Sequence, residues 1–297
     1  MGILRRRRFV TIATSLLAVR RLGSTAEGAE NAAHALAQLE TKSTGRLGVY
    51  AREIGSGRTI AYRASDSFPM CSTFKVLLVG AVLQRVDRGR ERLERHIAYT
   101  KADLLDYASV TTAHVAIGML SVGQLCEAAI VVSDNTAANL LLRTVGGPAG
   151  VTAFVRARPF HDAKTRLDRN EPALNTAIPG DVRDTTTPLR MANALALLLA
   201  SRAVLSPTSS RLLERWMRAC RTGTDTLRAG LPAQWAVGDK TGSGENGTRN
   251  DVAIIRPLQR DPVVAVAYLT GATGINDDGR NAILAHVGRI ITAALSN

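Results

Sequence analysis

Strand-like segments lie at both ends of this chain and enclose a long helix-rich block, and this order constrains the fold more than any other feature. Residues 47–52 and 59–63 form the first pair, and the Gly-Ser-Gly run at 55–57 between them predicts a hairpin. The helix-rich block covers residues 72–219. After it, strand-like patterns return at residues 235–240, 251–256 and 263–270.

Helical apolar spacing also precedes the first strand, at residues 28–41, and follows the last, at 281–295. The simplest assembly of these strands is one antiparallel sheet that takes strands from both ends of the chain. We therefore predict an α/β (α+β) fold with an antiparallel five-stranded sheet, flanking terminal helices and a second, all-helical lobe. The expected boundaries are an export signal at 1–26, an α/β lobe at 27–66 and 218–297, and a helical lobe at 67–217.

The formal net charge of +13 first suggests a nucleic acid or a membrane surface as partner. Six of these charges are arginines before residue 23, where no acid lies, which leaves +7 for residues 23–297. The other arginines are scattered, and no aromatic-basic platform accompanies them. We therefore expect no nucleic-acid partner.

The first residues have the pattern of an export signal. A basic run at 5–8 precedes an apolar run at 9–19, which is too short to cross a bilayer as a helix. Residues 6–10 are compatible with twin-arginine export as well as with the general secretory route. Small residues at 24–26 offer a cleavage site, and an uncleaved basic anchor is the alternative. We expect a periplasmic or secreted protein without stable membrane insertion after export.

The chain has three cysteines, Cys71, Cys126 and Cys220, so at most one internal disulfide can form. The five histidines are dispersed, and neither a Cys-x-x-Cys pattern nor a His-Cys cluster occurs. We expect no metal and no other cofactor.

Ser72 and Lys75 form a Ser-x-x-Lys pair, which places both side chains on one face of a helix. A serine hydroxyl becomes a nucleophile only when a base accepts its proton, and a buried lysine can act as that base. One such pair is expected by chance in a chain of this length, so the pair alone decides nothing.

Two further motifs follow in the chain. Ser133-Asp134-Asn135 can relay a proton and grip a substrate carbonyl, although all three residue types also favour a helix N-cap. The run at residues 240–244, Lys-Thr-Gly-Ser-Gly, closes the first C-terminal strand and can hold a carboxylate, or it can be a simple glycine-rich turn.

Together the three motifs, in this order, are the signature of class A β-lactamases and penicillin-binding proteins. Residues 166–175 closely resemble the omega loop of class A β-lactamases, and residues 184–188 continue that likeness. The chain therefore resembles a class A serine β-lactamase over residues 28–297. The resemblance implies hydrolysis of the β-lactam amide of penicillins and cephalosporins through an acyl-enzyme, conferring antibiotic resistance.

The resemblance also implies roles for individual residues. Ser72 attacks the β-lactam carbonyl, and its proton goes to Lys75 or, through a water molecule, to Glu171. Ser133 passes a proton to the departing nitrogen. Backbone N–H groups of Ser72 and Ser243 resemble the oxyanion hole. The substrate-binding residues implied are Tyr107, Asn135, Asn175, Lys240, Thr241, Ser243 and Arg249.

Glu171 distinguishes a hydrolase from a penicillin-binding protein, because an acyl-serine ester persists until a base activates water. A D-alanyl-D-alanine carboxypeptidase or penicillin-binding protein is the first alternative, and a non-catalytic β-lactam sensor is the second.

We interpret Arg169 and Asp184 as the ion pair of the loop, rather than Arg169 with Glu171. The expected partner is a small-molecule β-lactam, and the expected state is a monomer.

The cysteines depart from familiar members of the family. The position that pairs with Cys126 in many relatives is Val79 here, so we expect no such bridge. The corresponding partner position of Cys71 is Gly244, which leaves Cys71 as a free, buried thiol.

Overall fold

The computed structural model describes the backbone of residues 13–296 and the side chains of residues 28–295. The export signal expected at residues 1–26 lies outside the described residues, except for the backbone of 13–26. In the described part, the α-helices are α1 (Ala13–Ser43), α2 (Phe74–Asp87), α3 (Ser109–Ala113), α4 (Val122–Val131), α5 (Asn135–Val145), α6 (Gly147–Arg156), α7 (Pro188–Leu199), α8 (Pro207–Arg218) and α9 (Asp277–Ser296). None of these helices is long and apolar enough to cross a membrane.

The strands come from both ends of the chain and from its middle. They are β1 (Arg46–Glu53), β2 (Thr59–Tyr62), β3 (Phe68–Pro69), β4 (His96–Ala98), β5 (Met119–Ser121), β6 (Thr185–Thr186), β7 (Ala236–Gly244), β8 (Thr248–Arg256) and β9 (Val263–Thr270). Five of them form the predicted antiparallel sheet, and the structure gives the strand order as β2-β1-β9-β8-β7. The two-stranded pairs β3–β6 and β4–β5 escaped sequence analysis, because strands of two or three residues carry no alternation to detect.

Strand β9 shows why the sheet needs helices on both faces. Its side chains alternate between two cores, and nearly all of them are buried. Val264, Val266 and Tyr268 pack against the helical block, whereas Val263 and Leu269 pack on the side of α1 and α9. A strand covered on both faces reads as a continuous apolar run. Each Val or Leu buried in this way contributes about 1.5–3 kcal/mol.

Helix α2 is the central element of the helical block. All residues from Phe74 to Leu83 are buried, because α4, α5, α6 and α8 contact this helix. The 3-10 turn Cys71–Thr73 that leads into α2 contacts β7 and β8, so the start of α2 lies where the block meets the sheet. This position makes the junction the natural place for a cleft.

The predicted end of the first C-terminal strand at Lys240 is wrong, because β7 continues to Gly244 and pairs with β8 throughout. A Cβ at Gly242 would lie 2.8 Å from the Met70 carbonyl oxygen and 3.2 Å from the Ser72 nitrogen. Glycine therefore allows the strand to lie directly beside the turn that carries Ser72. The closing helix also begins earlier than predicted, at Asp277. The residue boundaries of the two lobes stay predictions.

Candidate active site

Ser72 lies at the start of the buried helix α2. It belongs to the 3-10 turn Cys71–Thr73 that leads into this helix, and it is 8% exposed. The preceding Cys71 has a φ of 45°, in the left-handed region that non-glycine residues seldom adopt. Lys75 follows one turn later on the same helix face and is fully buried. The surrounding packing therefore fixes the orientation of this turn.

The ammonium group of Lys75 is surrounded by oxygen atoms. Nζ donates to the Ser133 carbonyl (2.8 Å), the Ser133 hydroxyl (3.2 Å) and Oδ1 of Asn135 (2.7 Å). It also lies 3.0 Å from Oε1 of Glu171, in an ion pair whose side chains are both fully buried. Burial lowers the pKa of Lys75 below its ordinary value, whereas the Glu171 carboxylate opposes that shift.

The Ser133-Asp134-Asn135 motif divides its residues between helix capping and the site. Asp134 is the N-cap of α5, and its carboxylate accepts a hydrogen bond from the third residue of that helix at 2.8 Å. Oγ of Ser133 accepts from both Lys75 (3.2 Å) and Lys240 (3.0 Å). The N-cap interpretation therefore holds for Asp134, whereas Ser133 and Asn135 face Lys75.

Glu171 enters the site from the long loop between α6 and α7. Its Oε1 accepts from the Ser72 hydroxyl at 3.3 Å and is the oxygen that faces Lys75. The other oxygen, Oε2, accepts from the side-chain amide of Asn175. Glu171 is 4% exposed, so its carboxylate is almost completely withdrawn from solvent.

Asn139 was missed by sequence analysis. Its Oδ1 accepts from the backbone N–H of Glu171 (3.0 Å), and its Nδ2 donates to the Glu171 carbonyl (2.9 Å). One side chain thus holds both sides of the Glu171 backbone. Spacing could have identified it, because Asn139 follows Asn135 by four residues and lies on the same face of α5.

The base of this loop is held by Arg169 and Asp184. Nε of Arg169 lies 2.6 Å from Oδ2 of the buried Asp184. The other oxygen of Asp184 accepts from the backbone N–H groups of Asp168 (2.7 Å) and Arg169 (2.9 Å). The ion pair proposed from the sequence is therefore present, and Glu171 stays available to Ser72.

Lys240, Thr241 and Ser243 follow one another on β7. Nζ of Lys240 donates to Oγ of Ser133 (3.0 Å) and to the Thr241 carbonyl (2.7 Å), and burial lowers its pKa to about 8. Arg249 on β8 pairs with Ser243 in the sheet, and its Nη1 donates to the Ser243 hydroxyl at 2.6 Å. Two cations and two hydroxyls therefore line the β7 side of the site.

Thr222 is a second residue that sequence analysis missed. Its Oγ1 lies 2.5 Å from Oγ1 of Thr241, and its carbonyl accepts from Nη2 of Arg249 at 3.1 Å. The Cys220 thiol lies 3.3 Å from the same hydroxyl. Thr222 stands in the irregular segment between α8 and β7, where no periodicity or motif marks a threonine.

Tyr107 stands apart from the buried residues of the site. Its side chain is 86% exposed, and its backbone has a φ of 54°. The Tyr107 carbonyl accepts from the backbone N–H of Asn135 at 3.0 Å. The ring therefore lies in solvent next to the start of α5.

The three cysteines are free and buried. A Cβ placed on Gly244 would lie 2.6 Å from Sγ of Cys71, so these two positions face each other across β7 and the turn that carries Ser72. Burial raises the pKa of the Cys71 thiol far above its ordinary value, which makes it a poor nucleophile.

This geometry suits acyl transfer to a serine. A hydroxyl with a carboxylate in reach can lose its proton, and a second hydroxyl between two ammonium groups can donate one. Anionic substrate groups would meet Lys240 and Arg249. Among the described side chains, no group of three or more His, Cys, Asp or Glu is placed to hold a metal ion.

Comparison with known proteins gives consistent matches over most of the chain. The family model of the beta-lactamase enzyme family matches residues 31–295. An ancestral class A β-lactamase, that of the last common ancestor of Gram-negative bacteria, is 54% identical to this chain and superimposes with a TM-score of 0.86. The match covers 89% of this chain and 99% of the ancestral one. PenP from Rhodopseudomonas palustris, assigned to class A β-lactamases, is 52% identical, with a TM-score of 0.86 and coverages of 89% and 99%.

Proposed function

The chain belongs to the class A β-lactamases, hydrolases of the β-lactam amide, and we propose that Ser72 is the nucleophile of this reaction, with Glu171 as the base that acts on it. The observation that carries the proposal is the convergence of the Ser72 hydroxyl and the Lys75 ammonium group on one oxygen of Glu171, at 3.3 Å and 3.0 Å. Serine hydrolases need such an acceptor next to the attacking hydroxyl.

Acylation then begins with a bond between Oγ of Ser72 and the β-lactam carbonyl carbon, while the hydroxyl proton moves to Glu171. Lys75 has a different task in this proposal. Its ammonium group bonds both Glu171 and the Ser133 hydroxyl, so it connects the acceptor of the proton with the group that must donate one. When the carbon–nitrogen bond breaks, Ser133 gives its proton to the departing nitrogen and regains one from Lys75. Lys75 in turn takes the proton held by Glu171.

This sequence of transfers returns Glu171 to its ionised form, so that it can act a second time. It removes a proton from a water molecule as that water attacks the acyl carbon, and when the ester bond breaks the proton passes from Glu171 to Oγ of Ser72. Asn175, which donates to the other oxygen of Glu171, is proposed to orient that water. The product is the ring-opened acid, and the enzyme returns to its starting state.

Substrate binding is proposed to use the charges on the β7 side. Lys240, Thr241, Ser243 and Arg249 would hold the carboxylate, because hydrogen bonds from charged donors to a carboxylate are stronger than neutral ones. Asn135 would contact the acylamide group, and Tyr107 would cover the rim. The oxyanion would be stabilised by backbone N–H groups of Ser72 and Ser243, a proposal supported by the close packing of Gly242 against the Ser72 nitrogen.

Steady-state hydrolysis of a penicillin and a chromogenic cephalosporin tests this function. We expect repeated turnover by the wild type and none by Ser72→Ala, with a covalent adduct visible by mass spectrometry only when Ser72 is present. A burst of acylation without later turnover would contradict the proposal and would favour a penicillin-binding protein. Binding without any covalent adduct would favour a sensor.

The wider setting is also a proposal. We propose that the enzyme is exported to the periplasm or medium, is a monomer and confers β-lactam resistance, with the charge pattern of residues 5–19 as the support for export. Cell fractionation with N-terminal sequencing tests the export signal, and replacing Arg6 and Arg7 by Lys tests the twin-arginine route. Light scattering tests the monomer. A precursor-length protein in the cytoplasm would contradict the export proposal.

A further inference from the structure

A second cavity lies at the far end of the nucleophile's helix. It has a volume of about 380 Å³ and is lined by Arg85, Gly89, Arg90, Glu91, Arg92, Arg95 and Thr144. Arg85 belongs to the last turn of α2, and the four other charged residues belong to the segment that leads to β4. The 14 residues of α2 place this cavity about 20 Å from Ser72. It is therefore separate from the catalytic cleft.

The charges that line this cavity are not balanced. It contains four guanidinium groups and one carboxylate, Glu91, which is already bound by Arg95 through two hydrogen bonds of 2.7 and 2.6 Å. These bonds hold the pKa of Glu91 below its ordinary value. Among the described residues, no carboxylate lies within ion-pair distance of Arg85, Arg90 or Arg92.

The acids nearest in sequence do not neutralise these arginines. Asp87 lies outside the cavity lining and accepts hydrogen bonds from Ser206 and Ser209. Glu94 is exposed and also lies outside the lining. Glu91 also interacts electrostatically with Arg85, but one carboxylate against four guanidinium groups leaves a net positive charge around one concave surface.

Arg85 gives a second, independent indication. Its Nε is buried and has no hydrogen-bond partner in the described structure. Burying a charged donor without an acceptor costs free energy, and buried polar groups of this kind usually meet a partner. A ligand oxygen in the cavity would supply that partner.

We propose that this cavity binds a phosphate-bearing anion. Guanidinium forks match the oxygen geometry of phosphate groups, and several arginines around one cavity are a common arrangement for recognising them. The volume falls in the lower part of the range for small-molecule sites, which fits a diphosphate or a lipid headgroup. The cavity contributes no residue to the proposed reaction, so this inference does not depend on the assigned catalytic roles.

Titration calorimetry with inorganic pyrophosphate tests the site, and sedimentation with phosphatidylglycerol vesicles tests a lipid source of the same chemistry. The variant Arg90→Gln/Arg92→Gln removes two exposed guanidinium groups that bond no side chain among the described residues. We expect it to bind at least about tenfold more weakly than the wild type. Arg85→Gln, which removes the buried donor, should weaken binding by a similar or larger factor.

Arg156→Gln/Arg289→Gln is the matched control, because it removes two exposed arginines of α6 and α9 that bond no other side chain in the described part of the protein. It should bind like the wild type, and all variants should hydrolyse β-lactams normally. Pocket-dependent binding of pyrophosphate supports a free phosphate ligand, and pocket-dependent binding of vesicles alone supports a lipid headgroup. Binding of neither probe, or equal weakening in the control, would overturn the proposal.

Discussion

The hydroxyl of Ser72 donates to Oε1 of Glu171 across 3.3 Å, although 99 residues separate them in the chain. The same oxygen receives the ammonium group of Lys75. A carboxylate in this position can accept the proton of the attacking hydroxyl directly, and it stays close enough to act on a water molecule afterwards. This contact is the basis of the first prediction.

Replacing Glu171 by Gln keeps the shape of the side chain but removes its basicity. We expect acylation to become slower but to continue, because loss of the carboxylate lets burial lower the pKa of Lys75 further, so that Lys75 can accept the Ser72 proton. Deacylation should slow by about 10²–10⁴-fold, so that an adduct on Ser72 accumulates. Mass spectrometry after mixing with a penicillin measures the adduct, and stopped-flow absorbance measures its decay. Arg166→Gln, which breaks the more exposed Arg166–Asp168 ion pair of the same loop, should turn over normally. Rapid turnover by the Gln variant would remove Glu171 from the deacylation step.

The lowered pKa of Lys240 leads us to expect a loss of substrate binding at alkaline pH. Burial lowers its pKa to about 8, so the folded enzyme carries this charge below that pH and loses it above. We expect kcat/KM for a carboxylate-bearing β-lactam to fall above pH 8, by up to about tenfold per pH unit. The variant Lys240→Arg keeps the positive charge at alkaline pH, so its kcat/KM should not fall above pH 8. A wild-type profile that stays flat to pH 9.5 would show that the Lys240 charge is not needed.

Thr222→Val should disturb substrate binding more than chemistry. The hydroxyl of Thr222 lies 2.5 Å from that of Thr241, and valine removes this hydrogen bond while keeping the side-chain volume. We expect KM to rise about three- to tenfold with little change in kcat. Thr222→Ser should behave like the wild type. An unchanged KM in the valine variant would mean that Thr241 keeps its orientation without Thr222.

Asn139→Ala should lower both stability and deacylation. It leaves the backbone N–H and carbonyl of Glu171 without their side-chain partners, which costs about 1–3 kcal/mol of unfolding free energy. Denaturant unfolding measures the loss, and the lifetime of the acyl-enzyme should increase. Asn276→Ala is the control, because Asn276 bonds an exposed N–H at the start of α9. Equal stability losses in the two variants would contradict a special role for Asn139.

Gly244→Cys should form a disulfide with Cys71. A Cβ at position 244 would lie 2.6 Å from Sγ of Cys71 and 2.6 Å from the Asn175 carbonyl oxygen, so a bridge is within reach once the backbone at Asn175 moves aside. After oxidation we expect the mass to fall by about 2 Da and two thiols to become unreactive. The double variant Cys71→Ala/Gly244→Cys should keep its new thiol. Two reactive thiols in the oxidised single variant would contradict the predicted proximity.

The sequence was informative wherever residues act as a local pattern. Alternating strands and their order predicted the five-stranded sheet, and the Ser-x-x-Lys, Ser-Asp-Asn and Lys-Thr-Gly motifs pointed to side chains that meet at the start of α2. Thr222 could not be found in this way, because its role comes from a contact with β7 that only the folded chain creates. The end of β7 was misjudged because glycines usually mark turns, whereas Gly242 makes room for the Ser72 turn.

The position of β9 has a consequence for synthesis of the protein on the ribosome. β9 lies between β1 and β8, so β1 has no partner on that side until residues 263–270 have left the exit tunnel. A nascent chain can form its helices earlier, but Lys240 cannot be fixed opposite Ser133 until β7, β8 and β9 have joined the sheet. We therefore expect a chain still attached to the ribosome near residue 262 to have no hydrolytic activity.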